Sequence, residues 1–220
     1  MITRFLIIVN VIAFIWEIVV AGPGMLSPMG GGNVGAVLQA GALSPNAVLV
    51  YHEWWRIVTA GFLHAGLLHI FVNMISLYSL GRFIETATGS LRMLVIYAVS
   101  LVLSGLGVVY LSTPGYAAVG TLGASGAIFG LFGALFAIGL KLGRPGMQLV
   151  RSNLGILLLN LIITFAVPSI SWQAHVSGLV GGFLLTLVIY FPPRRVAPVV
   201  LDAATGEGYE AEYETPNSAG

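Results

Sequence analysis

Six long apolar segments dominate this chain and restrict what it can fold into. A helix needs about 20 mostly apolar residues to cross a bilayer. Segments near that length lie at 5–20, 67–84, 91–111, 125–142, 154–167 and 172–191. The fifth is short as written, and we expect it to extend back toward Arg151. Only 8% of the 220 residues are charged, against roughly 25% in ordinary soluble domains. We therefore predict an all-α, multi-pass membrane protein with six transmembrane helices.

The composition also excludes several classes of function. The chain has no cysteine, so a disulfide framework, a thiolate metal site and a cysteine nucleophile are excluded. The net charge of +1 gives no reason to expect a nucleic-acid partner. Asn10, Trp16 and Glu17 interrupt the first apolar segment, and no clear small-residue cleavage site follows it. We expect a retained helix there and not a cleaved signal peptide.

The connections between the segments are uneven in length and charge. Residues 21–66 form a loop too long for a turn, and its Trp54, Trp55 and Arg56 suit a membrane interface, so we expect it to fold on or into that interface. Residues 143–151 are predicted to be a basic loop, and residues 168–171 a very short one. We expect a membrane domain at 1–195 and a polar, acidic, disordered cytoplasmic tail at 196–220.

The basic residues predict an orientation in the membrane. With the N-terminus in the cytoplasm, eight of the nine Lys and Arg residues fall on the cytoplasmic side, and Arg56 alone lies outside. The positive-inside rule favours this arrangement. We therefore expect a cell (inner) membrane protein with both termini in the cytoplasm.

Four polar residues are predicted to lie at one depth beneath the outer surface. In this topology the second, fourth and sixth segments all run inward, and His69, Asn73, Ser125 and His175 occupy their first turns. His69 and Asn73 share a helix face because they are four residues apart. Polar groups in a bilayer are costly and are functional candidates by default. Each alone is more simply read as an interhelical hydrogen bond, and Ser125 as a small residue in a glycine zipper.

Together these residues suit acyl transfer. Ser125 would be the nucleophile and His175 the general base. His69, Asn73 and the backbone N–H groups near Ser125 would stabilise an oxyanion. No Asp or Glu lies near this depth in the second or the sixth segment, so we predict a Ser–His dyad without a third carboxylate.

A metal site at the histidines is disfavoured, because no H-E-x-x-H motif or nearby acidic ligand accompanies them. We expect no metal and no cofactor. Glycines one turn apart should let the fourth and sixth helices approach closely enough for a direct Ser–His hydrogen bond. They are Gly126 with Gly130, and Gly178 with Gly182.

The chain resembles the rhomboid family of intramembrane serine proteases. The elements that carry the resemblance are Glu53-x-Trp55-Arg56, His64-x4-His69-x3-Asn73, Gly123-x-Ser125-Gly126-x3-Gly130 and Ala174-His175-x2-Gly178-x3-Gly182. Each element is weak alone, but all four in order are highly specific. The resemblance implies a six-helix bundle of the minimal prokaryotic type, Ser125 as nucleophile, His175 as base, and His69 and Asn73 near the oxyanion. It also implies that the first loop lies partly in the membrane.

The resemblance also gives expectations for residues beside the site. Glu85 with Ser90 resembles a position that ties helix ends together, and we expect a structural role. Many members carry Tyr one turn after the serine, where it stacks on the histidine. This chain has Phe129 there, which keeps the stacking and loses the hydroxyl. Inactive relatives lack the serine or the histidine, and both are present here.

The expected function is that of a hydrolase: a serine endopeptidase that cuts membrane proteins in or near their transmembrane segments. A shallow wet cavity would supply water, and the substrate helix must unwind because a helical backbone hides its carbonyls. We expect substrates with helix-destabilising segments and small residues at the cut. The alternative is a non-catalytic, rhomboid-like binder of client helices or a small transporter, although no convincing inverted repeat is visible.

Overall fold

The chain folds into a bundle of α-helices. The computed structural model describes residues 1–112, 120–192, 199–201 and 208–210. Within these residues the helices are α1 (Ile2–Ala21), α2 (Val34–Gly41), α3 (Pro45–Leu49), α4 (Arg56–Thr59), α5 (Leu67–Thr88), α6 (Ser90–Leu111), α7 (Ser125–Leu142), α8 (Arg144–Ala166) and α9 (Trp172–Ile189). Six of them, α1 and α5 to α9, are long and apolar enough to cross a membrane. The predicted six-helix membrane bundle is confirmed.

One predicted boundary is wrong. Residues 143–151 are not a basic loop, because α8 begins at Arg144 and only Gly143 separates it from α7. Gly143 turns the chain with φ +68°, a conformation that favours glycine. Pro145 follows in the first turn of α8, where its missing N–H costs nothing. The fifth span does extend back from residue 154, and it extends further than we expected.

Helix α7 lies at the centre of the bundle. Of its most apolar stretch 72% is buried, against 17% for α8. Helices α5, α6, α8 and α9 contact it from several sides, and the spans around it leave many apolar side chains exposed, as expected for a lipid-facing surface. The segment that carries Ser125 is therefore the best enclosed helix of the described bundle.

Helices α7 and α9 meet along glycines. A Cβ on Gly178 would overlap the carbonyl oxygen of Gly126, and a Cβ on Gly182 would overlap that of Gly130. This pairing in the same order shows that the two helices run parallel with their backbones in contact. Small residues permit such an approach between membrane helices. The first turns of α7 and α9 thus lie side by side.

The long first loop is folded. It contains α2, α3 and α4, with short 3₁₀ turns at Pro23–Leu26 and Ala60–Phe62. Arg56 holds this loop together: its guanidinium donates to the carbonyl oxygens of Leu38, Gln39 and Ala42, at the C-terminal end of α2, and pairs with Glu53 at 2.6 Å. A cation near the last carbonyl groups of a helix also interacts favourably with the negative end of the helix dipole.

The folded first loop also holds the segment that leads into α7. Leu43 and Thr121 exchange two backbone hydrogen bonds, of 2.9 and 2.7 Å. The Gly123 N–H donates to the carbonyl oxygen of Ala60 at 2.8 Å. These bonds fix the backbone just before Ser125 on one side, while the glycine contacts fix α7 on the other.

Carboxylates fasten α1 near both of its ends. Glu85, near the end of α5, accepts from the N–H groups of Ile2 and Thr3 and from the hydroxyls of Thr3 and Ser90. Glu17 accepts from the His64 N–H at 3.0 Å through each of its oxygens. The carboxylate of Glu85 thus joins the start of α1 to the start of α6, and the structural role expected for Glu85 stays a prediction.

Residues Phe191–Gly220 form a second unit. In it the structure describes two strands, β1 (Val199–Leu201) and β2 (Gly208–Glu210), which pair antiparallel with Val200 opposite Tyr209. Apart from these two strands, residues 196–220 lie outside the described residues, and the disorder expected for them stays a prediction. The first unit ends at Tyr190, and the predicted domain boundary at residue 195 lies outside the described residues.

Candidate active site

Ser125 and His175 lie within hydrogen-bond distance. Ser125 is the first residue of α7, and His175 lies in the first turn of α9. The Ser125 Oγ and His175 Nε2 are 2.8 Å apart. Ser125 is partly exposed, whereas only 7% of His175 is exposed. The structure therefore brings together a reachable hydroxyl and a nearly buried imidazole, from positions 50 residues apart.

Phe129 fixes the plane of the His175 ring. The two ring centroids are 4.2 Å apart, and the rings are inclined by 12°. Phe129 lies one helical turn after Ser125, so the same face of α7 presents both the hydroxyl and the stacking ring. One face of the His175 ring is therefore packed against α7.

The second nitrogen of His175 has a partner that we did not anticipate from the sequence. The Nδ1 atom lies 2.7 Å from the hydroxyl of Thr164, which is 3% exposed and lies near the end of α8. In the part of the chain that the structure describes, no carboxylate hydrogen bonds to His175. The sequence did contain a signal for Thr164. It lies three positions before the end of the fifth predicted segment, at residue 167, and His175 lies three positions after the start of the sixth, at residue 172, so the two residues are at similar depth.

His69 presents an N–H next to the serine. Its Nδ1 accepts from the Ala65 N–H at 3.2 Å, so a neutral ring carries its proton on Nε2. A Cβ placed on Gly123 would lie 2.8 Å from His69 Nε2 and 3.6 Å from Ser125 Oγ. The imidazole and the hydroxyl thus border the same space over the Gly123 α-carbon. Gly123 has φ +122° and carries no side chain to fill that space.

Further donors lie on α5 and at the start of α7. The Asn73 side chain is 5% exposed, and its NH₂ group donates to the His69 carbonyl at 3.1 Å, which leaves its second N–H free to donate elsewhere. The first N–H groups of α7, at Ser125, Gly126 and Ala127, take part in no hydrogen bond among the described residues. A helix begins with such unpaired donors, which suit an anion.

His64 lies beside this group but has a different environment. Its ring contacts His69 edge to face, with centroids 5.1 Å apart, and it is fully buried. Burial, together with the charge of a protonated His69, lowers the pKa of His64 to about 3. His64 is therefore neutral at physiological pH.

The remaining predicted site residues lie in the scaffold. Trp55 is half exposed and has the Arg56 guanidinium 4.7 Å from its ring centroid. Glu85 lies at the far end of α5 from His69. Gly126, Gly130, Gly178 and Gly182 form the contact between α7 and α9. Glu17, which we had noted only as an interruption of the first span, proves to hold the backbone at His64.

No metal centre is evident in this geometry. Across residues 1–112 and 120–192 the structure brings together no three His, Cys, Asp or Glu side chains that could hold a metal ion. The chemistry available at the site is that of a hydroxyl, an imidazole and several N–H donors.

Comparison with known proteins gives a consistent family. Residues 51–191 match the rhomboid domain model. The chain is 32% identical over 192 residues to rhomboid protease GluP of Bacillus subtilis (strain 168). The aligned region covers 84% of this chain and 37% of GluP. It is 35% identical over 137 residues to the putative rhomboid protease YdcA of the same organism. That alignment covers 62% of this chain and 67% of YdcA.

Not every relative is active. The chain is also 33% identical over 171 residues to inactive RHOMBOID-like protein 8 of Arabidopsis thaliana, which covers 76% of this chain and 47% of that protein. Membership of this family therefore does not by itself establish that a chain is active. The rhomboid domain model covers more than half of the chain, and the six spans agree with it. The chain belongs to the rhomboid family of multi-pass membrane proteins.

Proposed function

We propose that this protein is an intramembrane serine endopeptidase with Ser125 as nucleophile and His175 as general base. The observation that carries the proposal is the 2.8 Å distance between Ser125 Oγ and His175 Nε2, with Phe129 stacked on the imidazole. A serine hydroxyl is a weak nucleophile until a base takes its proton. The distance between these two atoms is short enough for direct proton transfer from the hydroxyl to the imidazole.

The reaction has two halves. Ser125 Oγ attacks the substrate carbonyl carbon while its proton passes to His175 Nε2, and the imidazolium then protonates the leaving amine as the peptide bond breaks. Water next attacks the acyl-enzyme, again giving its proton to His175, and the Ser125 hydroxyl is restored. The partly exposed serine lets water and substrate reach the site.

The N–H donors around Ser125 would hold the oxyanion of each tetrahedral intermediate. Helix α5 supplies two of these donors, His69 Nε2–H and the free N–H of Asn73. The start of α7 supplies its first backbone N–H groups. Preorganised donors of this kind commonly contribute about 10²–10³-fold each to the rate. Gly123 leaves the space between His69 and Ser125 unfilled.

The substrates we propose are membrane proteins whose spanning helix unwinds easily, with small residues at the cut. The backbone must leave the helix to present a carbonyl to Ser125. The distribution of basic residues supports cytoplasmic termini and a site near the extracytoplasmic face of the cell membrane.

Two measurements on the purified protein test this proposal. A single-span model substrate with a Gly-rich membrane segment is incubated with the full chain in detergent, and fluorophosphonate labelling of Ser125 is followed in parallel. We expect Ser125→Ala and His175→Ala each to lower the cleavage rate by about a thousandfold or more. Labelling should be lost in both.

The matched control is Ser152→Ala. Ser152 is an exposed serine on α8 whose hydroxyl donates to the Leu149 carbonyl of its own helix, so cleavage and labelling should match wild type. Cleavage by Ser125→Ala at the wild-type rate would overturn the proposal. A wild-type protein that binds the substrate but neither cuts it nor takes up the label would instead be a binder of client helices.

A further inference from the structure

Thr164 lies at the end of a chain of short hydrogen bonds that passes through His175. Its hydroxyl is 2.6 Å from the Asn160 carbonyl oxygen, one turn back on α8, and 2.7 Å from His175 Nδ1. His175 Nε2 is in turn 2.8 Å from Ser125 Oγ. Three helices, α7, α8 and α9, thus contribute to one line of polar atoms.

The direction of each hydrogen bond in this line is determined by its first member. A carbonyl oxygen only accepts, so the single hydroxyl proton of Thr164 must point to Asn160. Two oxygens 2.6 Å apart without a proton between them would repel each other. The Thr164 oxygen then has only lone pairs to offer His175, and Nδ1 must carry the ring proton. A neutral imidazole protonated on Nδ1 has a bare Nε2, which can accept the Ser125 proton.

We propose that Thr164 is a positioning residue that sets the tautomer of His175. The inference rests on the proposed function, since the bare Nε2 is what a general base needs. Thr164 acts through His175 and does not touch the substrate. It orients the imidazole and supplies an acceptor for the Nδ1 proton when the imidazolium forms. Because Thr164 is on α8 and His175 on α9, the orientation of the base depends on how these two helices pack.

The burial of the pair makes this role necessary. Thr164 is 3% and His175 7% exposed, so water cannot readily replace the hydroxyl as the partner of Nδ1. A buried N–H without an acceptor is unfavourable, and the ring can avoid that state by moving its proton to Nε2. That tautomer cannot take the proton of Ser125.

The test compares Thr164→Val with Thr164→Ser in the full chain. Valine keeps the shape of threonine and lacks the hydroxyl, while serine keeps the hydroxyl. We expect kcat of Thr164→Val to fall by about tenfold or more with KM unchanged. Thr164→Ser should stay within about threefold of wild type. The matched control is Thr86→Val, because Thr86 is an exposed threonine on α5 whose hydroxyl makes the same bond to the carbonyl four residues back, at 2.9 Å.

A second readout does not depend on catalysis. The chain has four histidines, so ¹⁵N-histidine labelling gives few ring signals, and His175→Ala identifies those of His175. We expect a protonated Nδ1 and a bare Nε2 in wild type and in Thr164→Ser, and a shift toward protonated Nε2 in Thr164→Val. Wild-type tautomer and wild-type kcat in Thr164→Val would overturn the inference while leaving the protease proposal intact. If the wild-type protein cuts nothing, the protease proposal fails and the tautomer measurement alone decides the role of Thr164.

Discussion

At the scale of single residues, the site depends on how the His175 ring is held. Phe129 covers one face of the imidazole, and the hydroxyls of Ser125 and Thr164 lie at its two nitrogens. The stacking ring was expected from the resemblance to the rhomboid family, in which many members carry an aromatic residue one turn after the serine. Thr164 was missed because a threonine in an apolar helix commonly bonds back to its own helix, and its depth alone does not identify its partner. Only the packing of α8 against α9 makes it a partner of His175.

The Phe129 ring yields a prediction about orientation. Phe129→Ala should lower the cleavage rate by about three- to tenfold, because stacked aromatic pairs contribute about 0.5–1.5 kcal/mol beyond their buried area. Phe129→Tyr should keep the wild-type rate, since the phenol keeps the stacking. The measurement is kcat for the single-span substrate, corrected for the folded fraction.

Phe132→Ala is the control for lost packing. Phe132 is also 3% exposed and packs on Phe129, with ring centroids 6.0 Å apart. Its truncation should cost similar stability and change kcat less. Equal losses of kcat in Phe129→Ala and Phe132→Ala would show that the stacking has no specific part in catalysis.

At the scale of elements, the contact between α7 and α9 sets the distance from serine to histidine. Gly178→Ala would press a methyl group into the Gly126 carbonyl and push the two helices apart. Overpacking of this kind costs about 1–3 kcal/mol, and we expect cleavage to fall at least about tenfold because the Ser125–His175 bond lengthens. Thermal unfolding and cleavage by the same preparation measure both effects.

Gly155→Ala is the comparison for this substitution. Gly155 is an exposed glycine in the middle of α8, and a Cβ there would meet nothing within 4 Å. The variant should be as stable and as active as wild type. Full activity of Gly178→Ala at wild-type stability would mean that the close approach of the two helices is dispensable.

The sequence predicted most of these elements for identifiable physical reasons. Apolar length located the six spans, and the glycine spacing predicted which two helices approach closely. The boundary at residues 143–151 was wrong because basic residues were read as a loop, although Pro145 is compatible with a helix start. The fold of the first loop could not be read, because it depends on Arg56 reaching carbonyls 14 to 18 residues away.

At the scale of the whole molecule, the carboxylates of Glu85 on α5 and of Glu17 on α1 join regions that are distant in sequence. Glu85 ties the start of α1 to the α5–α6 turn, and Glu17 ties its end to the backbone that precedes α5. The two contacts lie on the order of 20 Å apart along the helix. Each oxygen of Glu85 serves one backbone N–H and one hydroxyl, whereas both oxygens of Glu17 serve the same N–H.

This difference in acceptors predicts unequal costs for the two matched amide substitutions. In Glu85→Gln the NH₂ group must face the N–H of Ile2 or of Thr3 in either orientation, so one donor always loses its acceptor and the free energy of unfolding should fall by about 1–3 kcal/mol. Glu17→Gln keeps one carbonyl for the His64 N–H and should cost less. Because the sites share no partner, the double variant should lose the sum of the two single losses. Denaturation of the four proteins in mixed micelles measures this, and a Glu17→Gln loss larger than that of Glu85→Gln would contradict the acceptor argument.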